Sequence, residues 1–238
     1  MKQDYYELCD CKFDTAFDKI STLNRYPWVG SNYSESNCRL LFLGESHYAT
    51  DGKNFSQEAF EEAQDKNFTR GVVNCVIRNK SMSQLTWKMY EGLLQTFQKL
   101  SPEDVKDFWS KVSFYNFIQR VMKSSDEKPT DEDKRIGWKC LGDVIKVLEP
   151  TSIIIVGVRN DGESDALNDE TVCLKDFQDD KDYKINNCRP RIGRIILHNK
   201  EIPLTMIKHT SQGYNPDQWR EYLINRVPEI MTHLEVIY

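Results

Sequence analysis

Glu45, Ser46, His47 and Tyr48 follow directly on the apolar run 40–43 and Gly44. Four side chains able to donate, accept or move a proton therefore sit at the end of a segment too apolar for a loop. Two other places repeat the pattern. The run "SFYN" ends in Asn116, whose amide both donates and accepts, which suits reading a base edge or another amide. The run "IPLTMIKHTS" ends in His209, Thr210 and Ser211. His209 could donate a hydrogen bond to a developing negative charge. Glu45 or Ser46 could steady a cation, place a water or act as a nucleophile. Phe68 and Tyr48 offer flat faces to a planar ligand.

Such residues need strands to hold them. "RLLFLG" at 39–44 and "SIIIVG" at 152–157 read as strands buried on both faces. "KVSFYNFIQ" at 111–119 is β-branched and aromatic-rich, which predicts another strand. "RIGRIILHNKEIPLTMIKH" predicts two strands joined by a turn at His198, Asn199 and Lys200. Helical spacing covers 13–24, where Phe13, Phe17 and Ile20 share a face, and then 56–64, 69–78 and 84–100. Ser101 with Pro102, Thr130, and Asn215 with Pro216 predict helix starts, and Pro150 ends the helix that Thr130 begins. The last of these helices is expected to run through 215–231. From 159 to 190 the chain is acidic and predicts an irregular, exposed excursion.

Strands alternating with helices predict an α/β fold: a three-layer α/β/α sandwich around a mostly parallel sheet. Ligands of such sheets sit at the carboxyl ends of the strands. That rule brings the segments at 44–48, 116 and 209–211 to one end of the sheet. The 238 residues suit a single domain, with a core over 39–222 and an N-terminal helix and loop over 1–38.

The bulk properties exclude several classes. No stretch reaches the roughly 18 apolar residues of a membrane span, and "MKQDYYELCD" has no apolar heart of a signal peptide. A cytoplasmic protein without a membrane partner is the expectation. Seven cysteines are scattered without a CxxC pair, so neither a zinc ribbon nor a redox motif is expected. No metal and no cofactor are expected. The net charge of −5 advertises no nucleic-acid binder, although a local patch such as "RPRIGR" at 189–194, with Lys208 nearby, could meet phosphates.

The three segments, taken in order, resemble the uracil-DNA glycosylase superfamily. Its first motif follows the first strand and reads G-Q-D-P-Y in one branch and G-E-[GA]-P-G in another; here it is Gly44–Glu45–Ser46–His47–Tyr48. Its second is an apolar strand ending in Asn, here Asn116. Its third is H-P-S, here His209–Thr210–Ser211. An aromatic residue opening a helix lies between the first two motifs, here Phe68 in "FTRGVVNCVI". The resemblance spans 39–222 and implies a central four-stranded parallel sheet between helices. It implies a protein that flips a damaged base, uracil among them, out of DNA and hydrolyses its N-glycosidic bond.

By the same resemblance Asn116 reads the base, Phe68 stacks on it, and His209 donates to its carbonyl oxygen. Glu45 steadies the sugar cation or orients water, Tyr48 blocks a thymine methyl group, and Ser211 touches phosphate. Gly44 and Thr210 complete the base-binding set. DNA is the implied partner, and a monomer the expected state.

The departures are specific. Ser46 stands where the most active branch has a catalytic Asp, so Glu45 must serve alone. His47 and Thr210 replace prolines. Gly213 lies near the position of an apolar wedge in some members, leaving Tyr214 for that part. Some members hold an iron–sulfur cluster with four Cys, and the spacing here does not match. Two other classes compete. A non-catalytic member of the fold would bind nucleic acid or a nucleotide-like ligand. An esterase elbow, G-x-S-x-G, fails at Tyr48, where the turn needs Gly.

Overall fold

Leu40, Leu41, Phe42 and Leu43 alternate between two hydrophobic clusters on opposite faces of one sheet. A strand buried on both sides must be apolar throughout, which is why "LLFLG" carries no polar residue. The computed structural model describes residues 7–51, 54–78, 84–124, 126–157, 162–211 and 213–236. Residues 159–161 of the acidic stretch lie outside the described residues.

The strands are β1 (Trp28–Val29), β2 (Leu40–Gly44), β3 (His47–Tyr48), β4 (Thr50–Asp51), β5 (Asn54–Phe55), β6 (Val112–Asn116), β7 (Val121–Met122), β8 (Ser152–Val156), β9 (Val172–Asp179), β10 (Arg191–Leu197) and β11 (Lys200–Ile207). The helices are α1 (Asp14–Phe17), α2 (Gln57–Glu62), α3 (Phe68–Ile77), α4 (Gln84–Thr96), α5 (Pro102–Lys111), α6 (Asp131–Leu148), α7 (Pro216–Arg226) and α8 (Pro228–His233). The sheet has seven strands, not four, in the order β1-β6-β2-β8-β11-β10-β9. Its middle four, β6, β2, β8 and β11, are parallel. β1, β10 and β9 pair antiparallel at the edges, which makes the whole sheet mixed.

Helices cover both faces. Residues of α3, α4, α5, α7 and α8 pack with Leu40, Phe42, Phe114 and Ile154 on one side. Phe17 of α1 and the apolar face of α6 pack with Leu41, Leu43, Tyr115 and Ile155 on the other. Ser101 and Thr130 close capping boxes with Asp104 and Asp133, and the Asn215 side chain accepts from the Asp217 and Gln218 amides. Each cap satisfies N–H groups that a helix leaves open at its start. Among the described residues no helix is long and apolar enough to cross a membrane.

Four expectations need correction. The stretch 13–24 is helical only at Phe13, which ends a 3₁₀ turn, and over α1; Ile20 still packs in the core with Phe17, but from irregular backbone beyond the helix. The strand expected over 111–119 ends at Asn116. The helix expected through 215–231 breaks between α7 and α8, where Pro228 opens a second helix. Within 159–190, β9 is an edge strand of the main sheet, and Leu167 and Val172 are buried. Its charges face outward, so composition hid a strand that is apolar on one side only.

Candidate functional site

The carboxyl ends of the parallel strands carry the three segments. Gly44 and Asn116 are register partners at the ends of β2 and β6. The pairing runs on past the strands, with the Phe117 amide donating to Gly44 O and the Ile118 amide to Glu45 O. His209 follows β11, which is separated from β2 by β8 alone. Its Nε2 lies 3.9 Å from Glu45 Oε2. The segments at 44–48, 116 and 209–211 thus stand side by side at one edge.

The tautomer of His209 follows from its neighbours. The Ser211 backbone N–H approaches Nδ1 at 3.3 Å, and Ser211 Oγ lies 2.8 Å from the same atom. An amide N–H can only donate, so Nδ1 is the bare nitrogen and the ring proton sits on Nε2. Burial pushes the His209 pKa down to about 4, which keeps the ring neutral. A neutral imidazole with Nε2–H turned toward Glu45 is a hydrogen-bond donor that carries no charge of its own.

Asn116 is 7% exposed, and its carboxamide makes no hydrogen bond among the described residues. Buried amides are normally satisfied, so this one is held in reserve. It faces a tight recess lined by Arg25, His47, Thr69, Tyr115, Asn116, Ile118 and Gln119. Side chains close the recess too tightly to admit a water, so a ring enters only if they part. Glu45 and His209 do not line it. His47 Nε2 is 2.9 Å from Thr69 Oγ1 at the start of α3. Burial, then the charge of Arg25, pushes His47 down to about 3, so this ring is neutral as well.

The remaining expected residues take different places. Phe68 is half-buried, meets the His47 ring edge-on at 5.0 Å, and packs with Phe60, Ala49, Ala63 and Val121. Tyr48 is half-buried on β3, beside β7, and burial raises its pKa although Ser46 lowers it. The Ser46 hydroxyl is buried and makes no hydrogen bond of normal geometry among the described residues.

Thr210 is not free for a ligand. Its hydroxyl donates to Met89 O at 2.6 Å, and it lies against Gly92, which ties the third segment to α4. Tyr214 does not project as a wedge: it stacks on Trp219 at 5.9 Å and meets Thr96 Oγ1 at 2.9 Å. Ser211 lines an open polar groove of about 170 Å³ together with Lys88, Glu91, Gln95 and Tyr214. Lys208 donates to Gly213 O at 2.8 Å and braces this loop. In the basic cluster, Arg194 is paired with Asp176 and Glu201. Arg191 sits over the Phe177 ring and 3.6 Å from Asp179.

Arg25, Thr69 and Gln119 were invisible in the sequence as site residues. The Arg25 guanidinium donates to Ala63 O and Gln119 O, both at 2.6 Å. The Gln119 amide donates to Asn116 O at 2.7 Å and its oxygen accepts from the Asn24 amide. These contacts fasten the N-terminal loop to the strand end that carries Asn116. A buried side chain in a polar loop leaves no periodic signal.

Comparison with protein-family models finds none that matches the chain, and comparison with curated proteins finds no match, so the geometry of the strand ends carries the functional reading.

Proposed function

We propose that the chain binds a flipped-out or free nucleobase at the carboxyl end of its sheet, and hydrolyses the N-glycosidic bond of a damaged base in DNA as uracil-DNA glycosylases do. The observation that carries this reading is Asn116, a buried residue at a strand end whose carboxamide makes no hydrogen bond among the described residues. An amide pairs with a base edge through both its donor and its acceptor. The four parallel strands between two helix layers support it too, as does the order of the three segments.

Each side chain then has a physical part. Asn116 reads the base edge. His209, neutral with its proton on Nε2, donates to a base carbonyl as negative charge grows there. Glu45 offsets the oxocarbenium character of the sugar or orients the attacking water. Flipping costs a few kcal/mol, offset by stacking and edge hydrogen bonds.

A second reading, a non-catalytic base or nucleic-acid binder, is favoured by Ser46 at the position of the catalytic Asp and by the ion-paired Arg191 and Arg194. A glycosylase assay on uracil-containing single- and double-stranded DNA separates the two. The enzyme reading expects product that Asn116→Ala, His209→Ala and Glu45→Gln each abolish. Binding of the same DNA without product selects the second reading. Neither binding nor product defeats both.

A further inference from the structure

We infer that Ser211 is a nucleophile activated by His209, and that the chain hydrolyses esters of small polar acids in the groove that Ser211 lines. The inference goes beyond the base-binding reading and does not depend on it.

The Ser211 hydroxyl lies 2.8 Å from His209 Nδ1. Nδ1 already accepts the Ser211 amide N–H, so it is the bare nitrogen and the hydroxyl must donate to it. A nucleophile and its base meet within about 2.6–3.2 Å in the same way. Across the ring, Nε2–H faces the Glu45 carboxylate at 3.9 Å, where negative charge steadies an imidazolium. Ser211 also lines a groove of about 170 Å³. Unlike the recess beside Asn116, this groove has room for a small molecule. Its other walls include Lys88, Glu91, Gln95 and Tyr214. Charged and polar walls of this kind suit an acyl group with polar substituents, not a fatty chain.

A second serine meets a histidine, and it lacks the decisive feature. Ser36 Oγ is 3.0 Å from His233 Nε2, but that hydroxyl donates to Cys38 O at 2.9 Å and accepts from the Cys38 amide at 3.0 Å. Its proton is spent on the backbone. The Ser211 proton has no acceptor but Nδ1 among the described residues.

The chemistry balances with these groups alone. Ser211 Oγ attacks the carbonyl carbon of the ester as its proton passes to Nδ1. The tetrahedral adduct collapses, the bond to the leaving alcohol breaks, and Nδ1 returns the proton to that oxygen. Water then attacks the acyl carbon and gives a proton to Nδ1. The bond to Oγ breaks, the acid leaves, and the proton returns to Ser211.

A local turn is the competing explanation, because side chains two residues apart meet readily. The probe that separates the two is a small alkyl fluorophosphonate, which phosphonylates an activated serine and releases fluoride. Labelling of the chain at neutral pH is followed by intact mass and located by peptide mapping. The proposal expects one phosphonyl group on Ser211 and none in Ser211→Ala. In His209→Ala labelling should slow at least about a hundredfold, the usual worth of a general base. Wild-type chain unfolded in urea should stay unlabelled, which keeps the test valid should His209→Ala fail to fold. A native chain that is not labelled, label on another residue, or Ser211 labelled as fast without His209 or in urea overturns the proposal. p-Nitrophenyl acetate then tests turnover. Release of nitrophenol beyond one equivalent, lost in Ser211→Ala, supports hydrolysis, and release that stops at one equivalent overturns it. None of these outcomes bears on base binding, which the assay on uracil-containing DNA decides separately.

Discussion

The carboxamide of Asn116 lies over Gly44, in the space that a β-carbon at residue 44 would fill. The glycine of the first segment is therefore set by the asparagine of the second, across one register pair of parallel strands. Phe114 closes the same space, its Cζ 2.9 Å from that β-carbon position. Gly44→Ala is expected to push Asn116 out of the recess and to cost about 1–3 kcal/mol through overpacking. Urea unfolding measures the cost, and loss of uracil binding measures the displacement. A variant of unchanged stability and affinity would show that Asn116 does not depend on Gly44.

Asn116 itself should behave in the opposite way. Among the described residues its side chain makes no hydrogen bond that a substitution would break, and a buried unpaired amide is a net cost to folding. Asn116→Ala is expected to change stability by no more than about 1 kcal/mol in either direction while base binding is lost. A loss of about 3 kcal/mol or more would mark Asn116 as a structural residue whose partners form only in solution.

The two faces of the sheet explain why much of this arrangement could be read from sequence. Leu40 to Leu43 must be apolar at every position because both sides are covered, and the same holds for Ile153 to Ile155. The caps at Ser101, Thr130 and Asn215 are local devices, fixed by residues within three positions of one another. β9 was illegible because an edge strand needs apolar residues on one face only. There Val172 and Leu174 alternate with Cys173 and Lys175, and left-handed backbone at Asp176 breaks the period. Arg25, Thr69 and Gln119 join the site through contacts between residues 22 to 95 positions apart, which no local spacing encodes. Tyr214 was misjudged for a related reason: its partners Trp219 and Thr96 are set by the packing of α7 on α4.

Two neutral imidazoles near the site make acid the natural stress on this fold. Burial holds His47 at about 3 and His209 at about 4, against the usual 6.5. Between those values and 6.5 the unfolded chain binds more protons than the folded one, so stability falls as pH falls. It is fully present above about 6.5 and drains away as the pH approaches 4 and then 3. For His47 the loss between about pH 6.5 and about pH 4 is of the order of 3 kcal/mol. His47→Gln retains a group able to bond Thr69 and cannot ionise. Its unfolding free energy should vary less with pH than that of the wild-type chain when both are followed from about pH 7 to about pH 4. Parallel pH profiles for the two proteins would count against a buried neutral His47.

The same neutrality is testable at His209 by ring nitrogen chemical shifts. Nε2 should carry the proton and Nδ1 should be bare at neutral pH, with no titration until about pH 4. If the chain excises uracil, its rate should be flat across the range in which a normal histidine titrates, because the donating form is already fully populated. Ser211→Ala removes the hydroxyl from Nδ1 but leaves the amide donor, so the tautomer should survive and the ring should lose some of its fixed orientation. A His209 that titrates near 6.5 would remove the argument for a neutral donor.

Asp180, 1% exposed, is held by Arg226 through two hydrogen bonds of 2.7 Å and by the Tyr222 hydroxyl at 3.2 Å. Arg226 reaches on to Asp182 at 2.8 Å and lies over the Tyr183 ring. The acidic stretch is thus not a free excursion at this end: the buried carboxylate of Asp180 docks it on α7. Arg226→Met leaves that carboxylate without its cation, which for a buried pair costs about 3–5 kcal/mol. Asp180→Leu combined with Arg226→Met removes both charges and should recover most of the loss, because the expense lies in the stranded charge and not in the absent bond. Urea unfolding of the single and double variants measures this coupling. Trypsin should cut after Lys181 or Lys184 faster in Arg226→Met than in the double variant, since release of Asp180 frees the segment beside it. If the double variant is as unstable as the single, packing of Tyr183 and Tyr222 against α7, and not the ion pair, is what anchors the stretch.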